Sequence, residues 1–306
     1  LSIRRQRQMC IRDRLFAAFA LCRALNVAAA VLLFGAAAML ALGGAPRLGR
    51  DAEVALRRTL RAAAVMGLVA ALCLLPLQTA SIAGDWGALR DSDMLATVAL
   101  QTRYGQAWMP RVFGAVLALA VVLWVRPGRP WVLAWVAALG LAPLSLGGHA
   151  AMHEGWLGVA HAVNDALHGL SAAFWLGSLP VFLFWLAAWQ RPGNRAEATR
   201  ALLRFSSLGH VAVAVLLFSG IGNAVLILGA GKVDPASDYQ RLLLVKIVLA
   251  LVMTGLALVN RYRWIPRIRT QRATALHAIR RNTIVELALG AVVLMVVGFL
   301  GLMSPL

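Results

Sequence analysis

The chain has 306 residues, 61% of them hydrophobic, with a mean hydropathy of +0.76 and a formal net charge of +18. Soluble domains average about 45–50% apolar residues, so this composition excludes an ordinary soluble enzyme and points to a membrane protein. The positive charge does not indicate a nucleic-acid partner, because the arginines fall in short loops between apolar blocks, as cytoplasmic loops of membrane proteins do.

Residues 1–14, LSIRRQRQMCIRDR, are basic and contain no apolar stretch of the signal-peptide kind. They are expected to be a non-native tail, with residues 15–306 forming a single transmembrane domain. Eight apolar blocks of roughly bilayer-spanning length follow, at Leu15–Leu42, Ala62–Ile82, Trp108–Val125, Trp131–Leu146, Gly158–Trp189, Phe205–Leu228, Leu242–Asn260 and Thr283–Met303. Backbone amides in hydrocarbon must be satisfied within their own segment, so these blocks are predicted helices in an all-α polytopic bundle. The fourth is short, and the fifth is long and contains Pro180, where a kink or a tilted entry is expected.

Loop charge alternates along the chain. Arg47, Arg50, Arg57, Arg58 and Arg61 separate spans one and two, and Arg126 and Arg129 separate three and four. Arg191, Arg195, Arg200 and Arg204 precede span six, and a run from Arg261 to Arg281 precedes span eight. The other loops carry Asp85, Asp91, Asp93, Glu154, Asp234 and Asp238. The Arg-rich loops are therefore expected in the cytoplasm and both termini outside. The basic tail is the one segment that conflicts with this orientation. The three cysteines form no C-x-x-C pair, and no disulfide framework or zinc knuckle is supported.

The most informative stretch is GHAAMHEGWLGVAHAVNDALHGLSAAFWLGSLP, beginning at Gly148, which holds four of the six histidines. His161, Asp165 and His168 stand at i, i+4 and i+7, on one face of a helix. Ala172 and Trp175 continue that stripe inward. His149 and His153 are four apart at the outer end of the fourth span, joined to the first group by a short Gly-containing segment. Imidazoles suit copper, zinc, iron and nickel, and a carboxylate beside them ligates the ion or orients a ring. Met94, Met109 and Met152 fall on the same outer side, and thioether sulfur favours cuprous copper over zinc. The candidate metal ligands are thus His149, His153, His161, Asp165 and His168. Taken singly, each histidine also suits an interfacial residue bonded to backbone or water.

Several stretches resemble the CopD family of copper-resistance membrane proteins. GHAA followed by DALHGLSAAFWLGSLP is similar to the paired histidine helices of that family. QTASIAGDW, QTRYGQAWMPR, RFSSLGHVAVAVLLFSGIGNAVLILG, DYQRLLLVKIVLALVMTGLALVNRYRWIPRI and RRNTIVELALGAVVLMVVGFLGLMSP are similar to its other segments in the same order. The resemblance implies a CopD-like inner-membrane domain over residues 15–306 that moves copper ions from periplasm toward cytoplasm. It implies His149, Asp165 and His168 as the closest matches to family positions, whereas His153 and His161 stand as additional candidate ligands on their spacing. Family members work beside, or fused to, a small periplasmic copper-binding β-sandwich of the CopC type. The outer loops are too short to contain one, so such a partner would be a separate protein.

Lys246, Glu286 and Arg111 are further charged residues inside spans. Lys246 is expected to repel a cation, neutralise an acid or snorkel. Glu286 is expected to receive a cation near the exit or to pair with Arg261 or Arg281. Arg111 has Asp91 or Asp93 as expected partners. His210 and His277 are read as structural. No P-loop, H-E-x-x-H or G-x-S-x-G motif occurs, so an enzyme is not expected and transport would draw on a gradient or a partner. Two other classes fit the histidines: a b-type haem electron carrier, with axial ligands from neighbouring helices, and a metal-sensing scaffold without transport.

Overall fold

A computed structural model describes the backbone of residues 2–145, 153–229, 234 and 236–304, and side chains from residue 12 onward except 142–145. His149 and Met152 lie outside the described residues. The described elements are helical: α1 (Ser2–Leu42), α2 (Pro46–Ala83), a 3-10 turn (Trp86–Arg90), α3 (Ser92–Gln101), α4 (Arg103–Trp124) and α5 (Pro130–Ser145). They continue as α6 (Gly155–Ala188), α7 (Arg195–Leu228), α8 (Asp238–Val259), a π-helical turn (Asn260–Trp264), α9 (Ile265–Arg267) and α10 (Arg272–Leu300).

Among the described residues, seven helices are long and apolar enough to cross a membrane. The fourth expected span, α5, has 16 described residues, about 24 Å at 1.5 Å per residue. Three helices start well before their apolar blocks. α2 begins at Pro46, α7 at Arg195 and α10 at Arg272, so Arg-rich segments read as loops are helical turns. Arginine is a good helix former, and a helix need not end where lipid ends. The carboxylate of Glu197 accepts from the backbone N–H groups of Arg47 and Leu48, tying the start of α2 to α7. Such orphan donors at a helix start favour a carboxylate.

α1 is the centre of the bundle, packed on α2, α5, α6 and α10. Its crossing with α6 is made by glycine. A side chain at Gly35 would strike the Ala173 carbonyl and the Gly177 backbone, and one at Gly177 would strike the Val31 carbonyl. Small residues let helix backbones touch in membranes, where burial from water supplies no drive. Around this crossing Met39, Leu48, Ala36, Ala64 and Trp185 are fully buried. α7 packs chiefly on α6, whereas α8 packs on α10. Phe218 and Ile221 of α7, and Leu244, Val248 and Leu251 of α8, face outward as a lipid-exposed surface must.

Candidate functional site

The polar residues of the membrane interior gather on α6 and the helices that face it. At its N-terminal end, Glu154 precedes α6 and the chain turns through Gly155, whose φ of 60° an L side chain rarely adopts. This turn folds His153 back over the first turns of the helix. Its Nδ1 lies 3.1 Å from Nδ1 of His161, with ring centroids 5.1 Å apart. His161 is 1% exposed, so the contact is sheltered. Two nitrogens bound to one tetrahedral ion at about 2.0–2.1 Å would stand roughly 3.3 Å apart. The two rings therefore already hold nearly that spacing, and an ion could enter by displacing the proton they share.

One turn inward, α7 supplies a polar ladder. Asn164 donates to Asn223 Oδ1 at 2.6 Å and to the Ser219 carbonyl at 2.8 Å, and Asn223 Nδ2 donates to Asp165 Oδ1 at 2.9 Å. Asp165 thus has one oxygen fixed from the neighbouring helix. His168 Nδ1 lies 3.1 Å from the Leu216 carbonyl and 3.3 Å from Ser219 Oγ. A carbonyl only accepts, so Nδ1 carries the proton and Nε2 keeps its lone pair. Gly220 and Gly222 make room for this. A Cβ at Gly220 would sit 3.2 Å from His168 Cε1, and one at Gly222 would sit 3.0 Å from the Asn164 amide. Lys246 of α8, half-buried, lies within electrostatic reach of Asp165 and His168.

The expected ligands therefore divide. His153 and His161 meet, while His168 is held separately by Leu216 and Ser219 of α7, and His149 lies outside the described residues. His161 and His168 are seven residues apart on one helix, about 10 Å along its axis. Among the described residues, no three His, Cys, Asp or Glu side chains cluster closely enough to hold one ion. Asn164, Ser219 and Asn223 were not singled out by sequence. Ser219 and Asn223, an i, i+4 polar pair inside an apolar block, carried the available signal.

Below His168, Trp175, Leu216 and Met253 form a buried apolar layer with Ala172, Val213 and Leu289. Beneath it lies a cavity of about 330 Å³ among α6, α7, α8, α10 and the π-helical turn, bordered by Glu286, Asn260, His210, Arg261 and Arg269. The remaining expected pairings differ from the structure. Glu286 meets neither Arg261 nor Arg281; its carboxylate accepts from Asn260 Nδ2 at 3.3 Å. Asp91 accepts from Met94 N as the cap of α3 instead of pairing with Arg111. Arg111 lies within electrostatic reach of Tyr104 and Arg23. His210 bonds the Ser206 carbonyl one turn back on its own helix, at 2.6 Å, as a structural residue would.

A bundle of seven long apolar helices with an ionisable line through one side defines a multi-pass inner-membrane protein. Residues 13–159 match the copper resistance protein D-like N-terminal domain, and residues 199–300 match copper resistance protein D. The chain is 33% identical over 243 residues to inner membrane protein YebZ of Escherichia coli (strain K12), covering 79% of this chain and 83% of that one. It is 32% identical over 298 residues to copper resistance protein D of Pseudomonas syringae pv. tomato, covering 90% and 93%. It is 30% identical over 252 residues to copper transport protein CutJ of Bacillus subtilis (strain 168), covering 79% of this chain and 44% of that one. The chain belongs to the copper resistance protein D family.

Proposed function

We propose that this protein moves copper across the inner membrane, from periplasm toward cytoplasm, and that the ion enters at the α6 histidines. The observation that carries this reading is the sheltered His153–His161 contact, with Asp165 and His168 continuing down the same helix face. Relatives named for copper resistance and copper transport support copper as the cargo. His153 and His161 form the receiving pair, with His149 proposed as a further ligand. Asp165 and His168 form a second station about 10 Å inward, and Lys246 limits how much positive charge rests there. A separate CopC-like periplasmic protein is the proposed donor. The arginine-rich ends of α2, α7 and α10 face the cytoplasm, with both termini outside. Residues 1–14 play no part in this function, and no catalytic chemistry is assigned to the chain.

The 3.1 Å contact speaks against His153 and His161 as the two axial ligands of one haem, because an iron and its macrocycle would have to lie between them. Copper titration and uptake in proteoliposomes test the proposal. Wild type is expected to bind and pass copper, and a His161→Ala, His168→Ala variant to do neither while remaining folded. Undiminished uptake by that variant overturns the route. Labelling of a cysteine placed at residue 267 by an impermeant reagent from outside overturns the orientation.

A further inference from the structure

Among the described residues, the α6 stations leave a buried carboxyl unused. Glu286 is 2% exposed, at the middle of α10. Among the described residues its only hydrogen bond comes from Asn260 Nδ2, and Asn260 is itself fixed by Asn282 Nδ2 at 2.9 Å. Asn260 opens the π-helical turn, the point where the helical path from α8 changes its winding. Such turns inside helices are rare and recur at functional sites. The carboxylate borders the 330 Å³ cavity, whose walls are otherwise mostly apolar.

The neighbours decide which species this group takes. α6 presents Trp175, Leu179 and Phe182 to the cavity and no titratable side chain. α7 presents His210, α8 presents Thr254, the π-helical turn presents Arg261 and the segment after α9 presents Arg269. α1 also packs on α10, and its Arg23 lies near Gly301, the C-cap of the helix, whereas Glu286 is at its middle. The carboxylate's bonded partner is the Asn260 amide. Carboxylate oxygens suit a proton or a hard cation and are a poor match for soft cuprous copper. Carboxyls buried in membrane helices moreover mark ion pathways and proton relays.

We propose that Glu286 is an exchangeable-proton site, opening to the Arg-rich side through this cavity, and that its proton moves in step with copper passage. The coupling half rests on the copper-transport reading above; the proton site itself does not. In the step, the carboxyl O–H bond breaks and the proton leaves through the cavity mouth. The electron pair stays on the carboxylate, which still accepts from Asn260. Reprotonation reverses this, with no change in oxidation state. The Trp175–Leu216–Met253 layer separates this site from His168, so the proton and the ion occupy different compartments of one path.

Two measurements on the full-length protein test the inference. Difference infrared spectroscopy between acid and alkaline samples reads the carboxylic-acid C=O stretch directly. Wild type is expected to show a titrating band that Glu286→Gln removes and Glu286→Asp restores. The Gln variant keeps the amide hydrogen bond and the side-chain volume, so the fold is retained. In proteoliposomes, a pH gradient should change wild-type copper uptake, and Glu286→Gln should abolish that dependence without altering copper affinity. An unchanged infrared difference in the Gln variant overturns the proton site, and gradient-dependent uptake in that variant overturns the coupling. Wild-type liposomes that pass no copper overturn the transport reading and the coupling with it, while the infrared result still decides the proton site.

Discussion

The two halves of the bundle solve the same problem differently. The half built on α1, α2, α4 and α5 is closed by small residues: Ala36, Ala37, Ala52, Ala63, Ala64, Ala118 and Ala137 are buried there. Its interior polar contacts are few, such as Asn26 Nδ2 to the Gly67 carbonyl at 3.0 Å. The half built on α6, α7, α8 and α10 carries His161, Asn164, Asp165, His168, Ser219, Asn223, Lys246, Asn260, Asn282 and Glu286 inside the membrane. It also contains the cavity, and α7 and α8 there lean on different partners. Ionisable groups in a bilayer are costly, so the concentration of acidic and imidazole groups beside the looser packing marks that half as the candidate working part, while the other, where Arg23 and Arg111 lie near Tyr104, is its frame. The frame keeps its shape by close contact; the working half keeps it by hydrogen bonds that an ion or proton can exchange.

The comparison breaks most completely at the contact between the halves. Gly177→Leu forces a side chain into the Val31 carbonyl, and membrane-inserted folded protein is expected to fall to a small fraction of wild type by size-exclusion in detergent. A normal yield would show that the α1–α6 crossing is not what joins the halves. Next in size is the ligand pair. Replacing both His153 and His161 with Ala should weaken copper binding by more than about 100-fold, because the ion loses direct bonds rather than their orienting partners. Wild-type affinity should itself fall as pH falls, since protons compete for the imidazoles. Titration with isothermal detection reads both effects.

A smaller effect comes from the α7 ladder. Asn223→Ala and Asp165→Asn should each weaken copper binding about 10–100-fold while leaving the α-helical circular dichroism unchanged. Equal affinity in the Asn223 variant would remove α7 from the working half. The smallest change belongs to the frame. Asn26→Ala should cost about 0.6 kcal/mol of stability, a typical membrane hydrogen bond, and leave copper affinity where it was.

Much of this was legible in the sequence, for reasons that can be traced. The apolar blocks were visible because lipid tolerates little else, and the periodicity of His161, Asp165 and His168 placed them on one face. The ends of α2, α7 and α10 were not, because hydropathy marks only where lipid is and Arg-rich turns stay helical in water. α3 was missed for a related reason: it is an extramembrane helix too short and mixed to stand out, capped by Asp91. The His153–His161 contact depends on a left-handed Gly155, which no spacing rule reveals. Asn223 was overlooked because a neutral amide in an apolar block draws less notice than a charge. Glu286 was noticed, but its partner was not, since Asn260 reaches it only through a π-helical turn set by tertiary packing.

The glycine crossing of α1 and α6 has a mechanical consequence. Where two backbones touch, one helix can neither slide past nor approach its neighbour, but it can still tilt, so the crossing acts as the fulcrum of a lever. Pro180, three residues beyond Gly177, leaves the Leu176 carbonyl without its usual helical donor and softens the rod beside that fulcrum. His161 sits about 24 Å from Gly177 along one arm, and Ala188 about 16 Å along the other. A tilt of about 5° therefore swings His161 by about 2 Å and Ala188 by more than about 1 Å in the opposite sense. The bend available at Pro180 then sets how fully one end of α6 follows the other.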